Sequence, residues 1–243
     1  MAVVPALVTV FVWGVSADAA GCLMADSLQT GRALRRTPGV RFVKVLGTAA
    51  GGRMRPTDAD LRHWAVLVSW DTARAADGFA GSRLARAFDA RAYERLAVHL
   101  RPVASRGRWS GREPFGDPVP TRVDTPGPVA SLTRARLAPT RMVRFYRAAG
   151  PVAADLAGRD GLLLALGIGE APLGLQGTFS LWRSAADLAA FAHRGPAHLD
   201  AVRRTPREGW YAEELFARFA VLGVSGRYQG RPVAGPWPAG LPA

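Results

Sequence analysis

Two of the four histidines, His193 and His198, lie in the most aromatic stretch of the sequence, residues 177–230. A neutral imidazole is a strong ligand for iron and for other transition metals. His198 is the better candidate, because in a helix it would share one face with small or apolar side chains such as Ala201 and Val202. His193 is the rival, although a histidine at the end of a helical pattern commonly only caps the helix. A structural role, with a ring nitrogen bonded to a backbone carbonyl, stays open for both.

Other catalytic patterns give no comparable signal. The sequence has no His-x-x-x-His, Cys-x-x-Cys or Gly-x-Ser-x-Gly spacing. Gly167-Ile-Gly169-Glu170 follows a predicted strand but lacks the third glycine of a dinucleotide site. His63 and His99 are expected to be structural. Cys22 is the only cysteine, which excludes an internal disulfide and fits a cytoplasmic protein.

Aromatic residues accompany the candidate histidines. Trp182, Phe191, Trp210 and Tyr211 belong to a set that could line a long apolar cavity, and Tyr211 could in principle ligate a metal as phenolate. Aromatic residues at such spacings are more often ordinary core, and that interpretation is kept beside the functional one. Arg183, directly after Trp182, could bind an anionic group or simply lie on the surface.

The charge is strongly basic, with a formal net value of +13, and Lys44 is the only lysine. A surface of this sign attracts anionic lipid headgroups, acidic proteins or nucleic acid. Nucleic-acid binding is not predicted, because the arginines are scattered and no nucleic-acid-binding motif is present. The apolar run before Val15 lacks the basic start of a signal peptide, so residues 6–15 are predicted to be a buried strand.

The elements that must position these residues recur twice along the chain. Trp70 and Phe79 have the same spacing as Trp182 and Phe191, and the segment starting at Gly107 resembles the one starting at Gly226. The second copy is longer between Phe191 and Gly226, around His198. Each copy has a βαββαβ pattern, which predicts a ferredoxin-like unit. In detail, residues 83–100 and 209–218 are expected to be helical and residues 102–109 and 219–225 to be strands.

We therefore predict an α+β protein in which two tandem ferredoxin-like repeats form one fused α+β barrel of the dimeric type. The expected boundaries are 1–109 for the first half, 110–128 for a linker rich in proline and glycine, 129–230 for the second half, and 231–243 for a tail. The helices of each half cover only one face of its sheet. Because the other face must also be buried, the second copy is expected to cover it. Oligomeric state is left open.

The run from Thr178 through Trp182, Phe191 and His198 to the segment Trp210–Phe219 resembles the spheroidene monooxygenase family of carotenoid pathways. The resemblance is strongest from about Leu164 to Gly230. It implies a haem-dependent monooxygenase that hydroxylates an apolar, carotenoid-like polyene or oxidises it to a ketone. It further implies an iron ligand at His198, with His193 as rival, and an external electron donor such as a ferredoxin.

The same resemblance assigns the haem pocket to the second half. Expected cofactor-binding residues are His198, Trp182, Arg183, Phe191, Val202, Trp210 and Tyr211, with Arg183 on a haem propionate. A basic surface would also permit peripheral contact with anionic membranes. Two alternatives stay open, namely a haem dehydratase of the aldoxime dehydratase type on this fold, and a barrel that binds haem or another apolar ligand without catalysis.

Overall fold

The structure is a computed structural model that describes residues 3–51, 56–118, 127–170, 175–194 and 208–238. Within these ranges the chain forms nine strands and five α-helices. The strands are β1 (Leu7–Val15), β2 (Val40–Ala50), β3 (Ala59–Trp70), β4 (Ala92–Gly107), β5 (Val129–Leu137), β6 (Leu162–Gly169), β7 (Leu175–Trp182), β8 (Tyr211–Tyr228) and β9 (Arg231–Pro232). The helices are α1 (Ala17–Arg35), α2 (Ala73–Ala80), α3 (Arg83–Asp89), α4 (Met142–Ala157) and α5 (Ala185–Arg194).

Eight strands close into a ring in the order β4-β1-β3-β2-β6-β7-β5-β8, with β8 pairing back onto β4. Each half contributes four antiparallel strands in the same relative order, and the halves meet where β2 pairs with β6 and β4 with β8. The registers also agree, because Leu7 lies opposite Trp70 in the first half and Val129 lies opposite Trp182 in the second. The predicted α+β fold with two ferredoxin-like repeats is confirmed.

The inside of the ring is filled by side chains from both halves. Alternate residues of the eight ring strands point inward, as with Val8, Leu67, Leu132 and Phe219, and all four are essentially inaccessible to solvent. These buried side chains make the ring interior one hydrophobic core. A ligand of appreciable size must therefore bind outside the ring.

The segment after β4 contributes to this core. Phe115 is fully buried, and its ring centroid lies 4.9 Å from that of Phe219. Trp109, just before the predicted linker, is also buried inside the ring. Residues 119–126 of the linker lie outside the described ranges, and the predicted domain boundaries stay predictions.

One predicted helix is wrong and another is too long. In the segment predicted as a helix over residues 209–218, residues 211–218 belong to the single long strand β8. The helix predicted over residues 83–100 is correct as far as Asp89, where α3 ends, and β4 follows. Alanine, glutamate, leucine and arginine favour helices in isolation. Here their burial alternates instead, with Leu215 and Ala217 inside the ring, and the long pairing between β4 and β8 overrides the local preference.

Candidate functional site

The outer face of the first half's sheet is a largely apolar layer beneath the helices, in which the buried Thr9 accepts a hydrogen bond of 2.8 Å from Nε1 of Trp70. Phe11 stacks on Trp13 at 5.4 Å between ring centroids, and Trp13 stacks on Phe88 of α3 at 4.7 Å. Val66 and Val68 of β3 belong to the same cluster. Large side chains thus fill the space between sheet and helices in this half.

The outer face of the second half's sheet has the same register but different side chains. Because Val129 corresponds to Leu7 and Trp182 to Trp70, the position of Phe11 is taken by Thr133 and that of Trp13 by Ala135. On the neighbouring strand the positions of the two valines are taken by hydroxylated residues. The corresponding pairs are Val66 with Thr178 and Val68 with Ser180.

This change divides the outer face of the second half, as far as it is described, into three zones. At one end Trp182 stacks on Phe191 with ring centroids 5.4 Å apart. At the other end Phe145 of α4 meets Trp210 edge to face at 5.9 Å. Between these two apolar clusters lie Ser131, Thr133, Thr178 and Ser180, which we call the central hydroxyls.

The β-ladder fixes how the central hydroxyls face one another. Ser131 pairs with Ser180 and Thr133 pairs with Thr178 across β5 and β7, so each pair has Cβ atoms about 5 Å apart. Ser180 is buried, and its Oγ accepts a hydrogen bond of 2.9 Å from Nε1 of Trp182. Both threonines are half-buried. The result is a polar patch between two apolar clusters, and it continues along β7 to the buried Gln176, which lies opposite Ala135.

Four of the predicted site residues lie around this patch. Trp182, Phe191, Trp210 and Tyr211 belong to the two flanking clusters, and Trp182 and Trp210 are fully buried. Nε1 of Trp210 donates a hydrogen bond of 3.0 Å to Glu208. These aromatic residues therefore bound the second half's outer face, where they could equally be core or pocket wall.

Arg183 is placed differently. Its guanidinium lies at the surface and pairs with Asp187 one turn into α5, at 3.3 Å. Ser184 donates its hydroxyl proton to the same carboxylate at 2.7 Å. Hydrogen bonds from Ser184 and Arg183 hold the pKa of Asp187 below its ordinary value. A role for Arg183 in binding an anionic ligand would require exchange of this ion pair.

The predicted iron ligands cannot be placed. His198 and Val202 lie outside the described residues, and His193 lies in the last turn of α5 without a described side chain. Among the described side chains there is no cluster of three or more histidine, cysteine or acidic residues suited to a metal ion. His63, in the first half, is buried between Asp60 and Glu94, each 2.7 Å from one ring nitrogen. The ligand assignments stay predictions.

A buried charge network that sequence analysis missed lies directly behind the central hydroxyls. Arg134, between Thr133 and Ala135 on β5, points into the ring with 3% of its side chain exposed. Its guanidinium binds Glu170 at 2.8 Å and also pairs with Glu213. The network fixes β5 from its inner face, while Thr133 projects from the outer face of the same strand.

The carboxylates of this network stay ionised. Burial opposes ionisation of Glu170, but hydrogen bonds from Lys44, Trp109 and Arg134 outweigh it and keep its pKa below the ordinary value. For Glu213 burial is likewise outweighed, by the backbone amides of Gly111 and Ser110 and by Arg134, so its pKa is also lowered. An arginine followed by distant glutamates carries no local sequence signal. Two of the central hydroxyls did carry a sequence signal. Aligning Trp70 with Trp182 shows that Thr178 and Ser180 take the positions that Val66 and Val68 have in the first half.

Comparison with known proteins decides the family. No family model matches the sequence. A spheroidene monooxygenase from Rhodobacter capsulatus is 35% identical over 213 residues, which cover 86% of this chain and 87% of that protein. A second one, from Rubrivivax gelatinosus, is 39% identical over 198 residues, covering 80% and 73% respectively. The chain belongs to the spheroidene monooxygenase family. Membership confirms the predicted family and the prediction of a monooxygenase.

Solved structures agree with the fold. Two structures of aldoxime dehydratase align with TM-scores of 0.54 and 0.57 at 11% and 12% identity, each covering 88% of this chain. The alignments cover 80% and 79% of the two aldoxime dehydratase chains, and the second of these structures is a complex with butyraldoxime. At this identity the likeness shows the shared fold alone. In the described part of the spheroidene monooxygenase family member, no helix is both long and apolar enough to cross a bilayer.

Proposed function

We propose that this family member is a haem-dependent monooxygenase of a carotenoid pathway, with its cofactor held between the second half's sheet and helices α4 and α5. The observation that supports this location is the difference between the repeats. Where the first half fills the layer with Phe11 and Trp13, the second half has Thr133 and Ala135. The packed ring interior leaves the outer faces of the sheet as the walls for a ligand.

The described residues fit a flat apolar cofactor. The strand rise of about 3.4 Å per residue gives the wall from Val129 to Ala135 a length of roughly 20 Å. Its ends are aromatic and its middle is small, which suits a macrocycle that packs against side chains on both faces. His198, or its rival His193, would supply the imidazole that holds the iron, and haem so held would supply the chemistry of dioxygen activation.

The chain's own residues would bind and orient the reactants. The cofactor and an apolar polyene would contact Trp182 and Phe191 at one end of the wall and Trp210 and Tyr211 at the other. Val202 is proposed as a further contact. Arg183 would bind a propionate after releasing Asp187. Because these walls exclude water, they would favour an extended apolar substrate over a polar one.

Two partners follow from this chemistry. A monooxygenase reaction needs two electrons, and because the sequence has no recognisable flavin or nicotinamide site, a separate electron-transfer protein such as a ferredoxin would deliver them. The basic surface, with its formal charge of +13, would let the protein approach anionic membranes in which apolar polyenes dissolve. Binding to neutral vesicles as strong as to anionic ones would contradict the second proposal.

The test is an absorption spectrum of the protein produced with haem supplied, with His198→Ala and His193→Ala measured beside the wild type. We expect a Soret band that shifts or disappears in the His198 variant and persists in the His193 variant. The reverse pattern would assign the ligand to His193. No band in well-folded wild-type protein would overturn the haem proposal.

A second measurement separates oxygenation from dehydration on the same fold. With a polyene substrate and a reductant, we expect stoichiometric consumption of dioxygen. Turnover without consumption of dioxygen or reductant would instead indicate a dehydratase.

A further inference from the structure

We propose that one end of the ring is the surface with which this family member docks on an anionic phospholipid bilayer. The docking surface consists of two exposed apolar side chains and four exposed arginines, namely Leu61, Tyr93, Arg62, Arg91, Arg227 and Arg231. The inference rests on the proposed membrane contact, and it names the residues that make this contact.

The strands of the first half bring these side chains to one end of the ring. Gly14, near the end of β1, pairs with His63 of β3 and with Glu94 of β4. Arg62 and Tyr93 are the sequence neighbours of these two partners. The ring of Tyr93 lies over Gly14, because a Cβ built on Gly14 would come within 2.9 Å of it. Its centroid is also 6.1 Å from that of His63.

The second half adds two arginines at the same end. The carboxylate of Glu94 accepts hydrogen bonds of 2.8 and 2.7 Å from the backbone amides of Gln229 and Gly230. Arg227 and Arg231 flank this turn, and both are exposed. The docking surface therefore carries cations from both halves.

The acidic side chains beside these cations are turned inward. Asp60 and Glu94 each lie 2.7 Å from a ring nitrogen of the buried His63. None of the four arginines forms an ion pair with another residue that the structure describes. Asp18, in the first turn of α1, is an exposed acid near this surface, and the arginines outnumber it. The positive charge is thus free to meet lipid phosphates.

Leu61 and Tyr93 give the docking surface its apolar component. Their exposed fractions are 61% and 60%. Tyrosine is favoured at the boundary between headgroups and acyl chains, and arginine can reach the phosphates from there. Leucine gains free energy when it leaves water for the acyl chains. An anionic bilayer accommodates both kinds of side chain, whereas attraction to an acidic protein by charge alone would not involve the leucine.

The position of the docking surface also suits the proposed site. Strand β8 begins at Tyr211, beside the aromatic cluster at one end of the wall. It continues past Ala220, whose partner Val129 belongs to the other aromatic cluster, to Tyr228 at the docking surface. The Trp182 end of the wall therefore lies nearer to the bilayer, from which an apolar polyene would come.

The test is cosedimentation of the full chain with vesicles of phosphatidylglycerol and phosphatidylcholine in equal parts. One variant has three arginines of the docking surface replaced by serine, Arg62, Arg91 and Arg227. The matched control has three exposed arginines from other places replaced by serine, Arg74, Arg83 and Arg101. Both variants lose the same net charge. We expect about a hundredfold weaker binding for the first and less than about threefold for the control, since only arginines close to the lipid contribute strongly.

Leu61→Ser tests the apolar component. Val143→Ser is its control, because Val143 is an equally exposed apolar side chain, at 64%, on α4 of the second half. We expect Leu61→Ser to weaken binding about tenfold, because a leucine no longer leaves water. The binding of Val143→Ser should equal that of the wild type.

Equal losses in the two triple variants would overturn the inference, since net charge would then explain binding without a docking surface. Unchanged binding of Leu61→Ser would also overturn it, because charge alone would then hold the protein, as it would hold an acidic partner protein. Wild-type protein that does not bind the anionic vesicles would overturn both this inference and the proposed membrane contact, whereas the Soret band decides the haem proposal separately. If the triple variant does not fold, Leu61→Ser against Val143→Ser still decides.

Discussion

The two repeats of the ring present the same strand positions to their helices but fill them with different side chains. In the first half, Phe11 and Trp13 join sheet and helices into one apolar layer. In the second half, Thr133 and Ala135 stand at those positions, between two separate aromatic clusters. A duplicated fold can thus assign stability to one copy and leave the other free to change its packing for binding.

The contacts that join the halves, in contrast, have stayed nearly symmetric. Glu94 of the first half accepts hydrogen bonds from the backbone amides of Gln229 and Gly230, at 2.8 and 2.7 Å. Glu213 of the second half accepts them from the amides of Ser110 and Gly111, at 2.9 and 2.7 Å. Each carboxylate thereby holds a tight turn of the opposite half.

The two turns also share an unusual backbone. Ser110 and Gln229 have φ values of 55° and 53°, a region that side chains other than glycine seldom adopt. The carboxylates differ only in their other partner, which is His63 for Glu94 and Arg134 for Glu213. The interface between halves therefore kept its backbone geometry, while the surfaces under the helices and the charged partners diverged.

The largest expected effect comes from exchanging residues between the two outer faces. Phe11→Thr gives the first half the residue of the second, and it should lower the free energy of unfolding by about 3–5 kcal/mol, because a large buried ring is lost from a packed layer. Thr133→Val should change stability by less than about 1 kcal/mol. Urea unfolding followed by circular dichroism measures both. Equal losses in the two variants would contradict the proposed division of roles.

Part of this difference between the repeats could be predicted from sequence. The spacing of Trp70 and Phe79, repeated in Trp182 and Phe191, identified the duplication, and the residues around Trp182 and Trp210 identified the family. The aromatic candidates lie where the two clusters bound the second half's outer face. Threonine and serine are common in strands, so Thr178 and Ser180 are informative only against Val66 and Val68, the residues that the alignment of Trp70 with Trp182 places at their positions.

Other features were beyond local patterns. The first part of β8, up to residue 218, was predicted as a helix because its alanine, glutamate, leucine and arginine residues favour helices, whereas its pairing with β4 and β5 makes it a strand. The network around Arg134 joins residues from β2, β5, β8 and the ends of β4 and β6. Contacts between residues so distant in the chain depend on the closed ring, which no short window of sequence contains.

A smaller effect is expected from Arg134→Leu, which tests whether the second half's charged partner is structural. Without the guanidinium, Glu170 and Glu213 lose a buried counter-charge, and we expect a loss of about 3 kcal/mol in the free energy of unfolding. Arg101→Leu, at an exposed position of β4, should change it by less than about 0.5 kcal/mol. Similar stabilities for the two variants would show that the network contributes little to the fold.

The smallest effect should come from the symmetric carboxylates, and it depends on pH. The pKa values of both Glu94 and Glu213 are lowered, because hydrogen bonds from the backbone amides and from His63 or Arg134 outweigh the burial that opposes ionisation. A lowered folded-state pKa stabilises the protein above the unfolded-state pKa of about 4.3, and this contribution is lost as the pH falls through the folded-state value.

Glu213→Gln should therefore cost about 1–2 kcal/mol at pH 7, and Glu94→Gln a similar amount, because each change weakens hydrogen bonds to a charged acceptor. Below about pH 4 both variants should approach the wild type, since the wild-type carboxylate is then being protonated as well. Urea unfolding at pH 7 and pH 3 measures the change. A deficit in either variant that is as large at pH 3 as at pH 7 would mean that its contribution is packing rather than charge, and the symmetry of the two contacts would then be one of backbone shape alone.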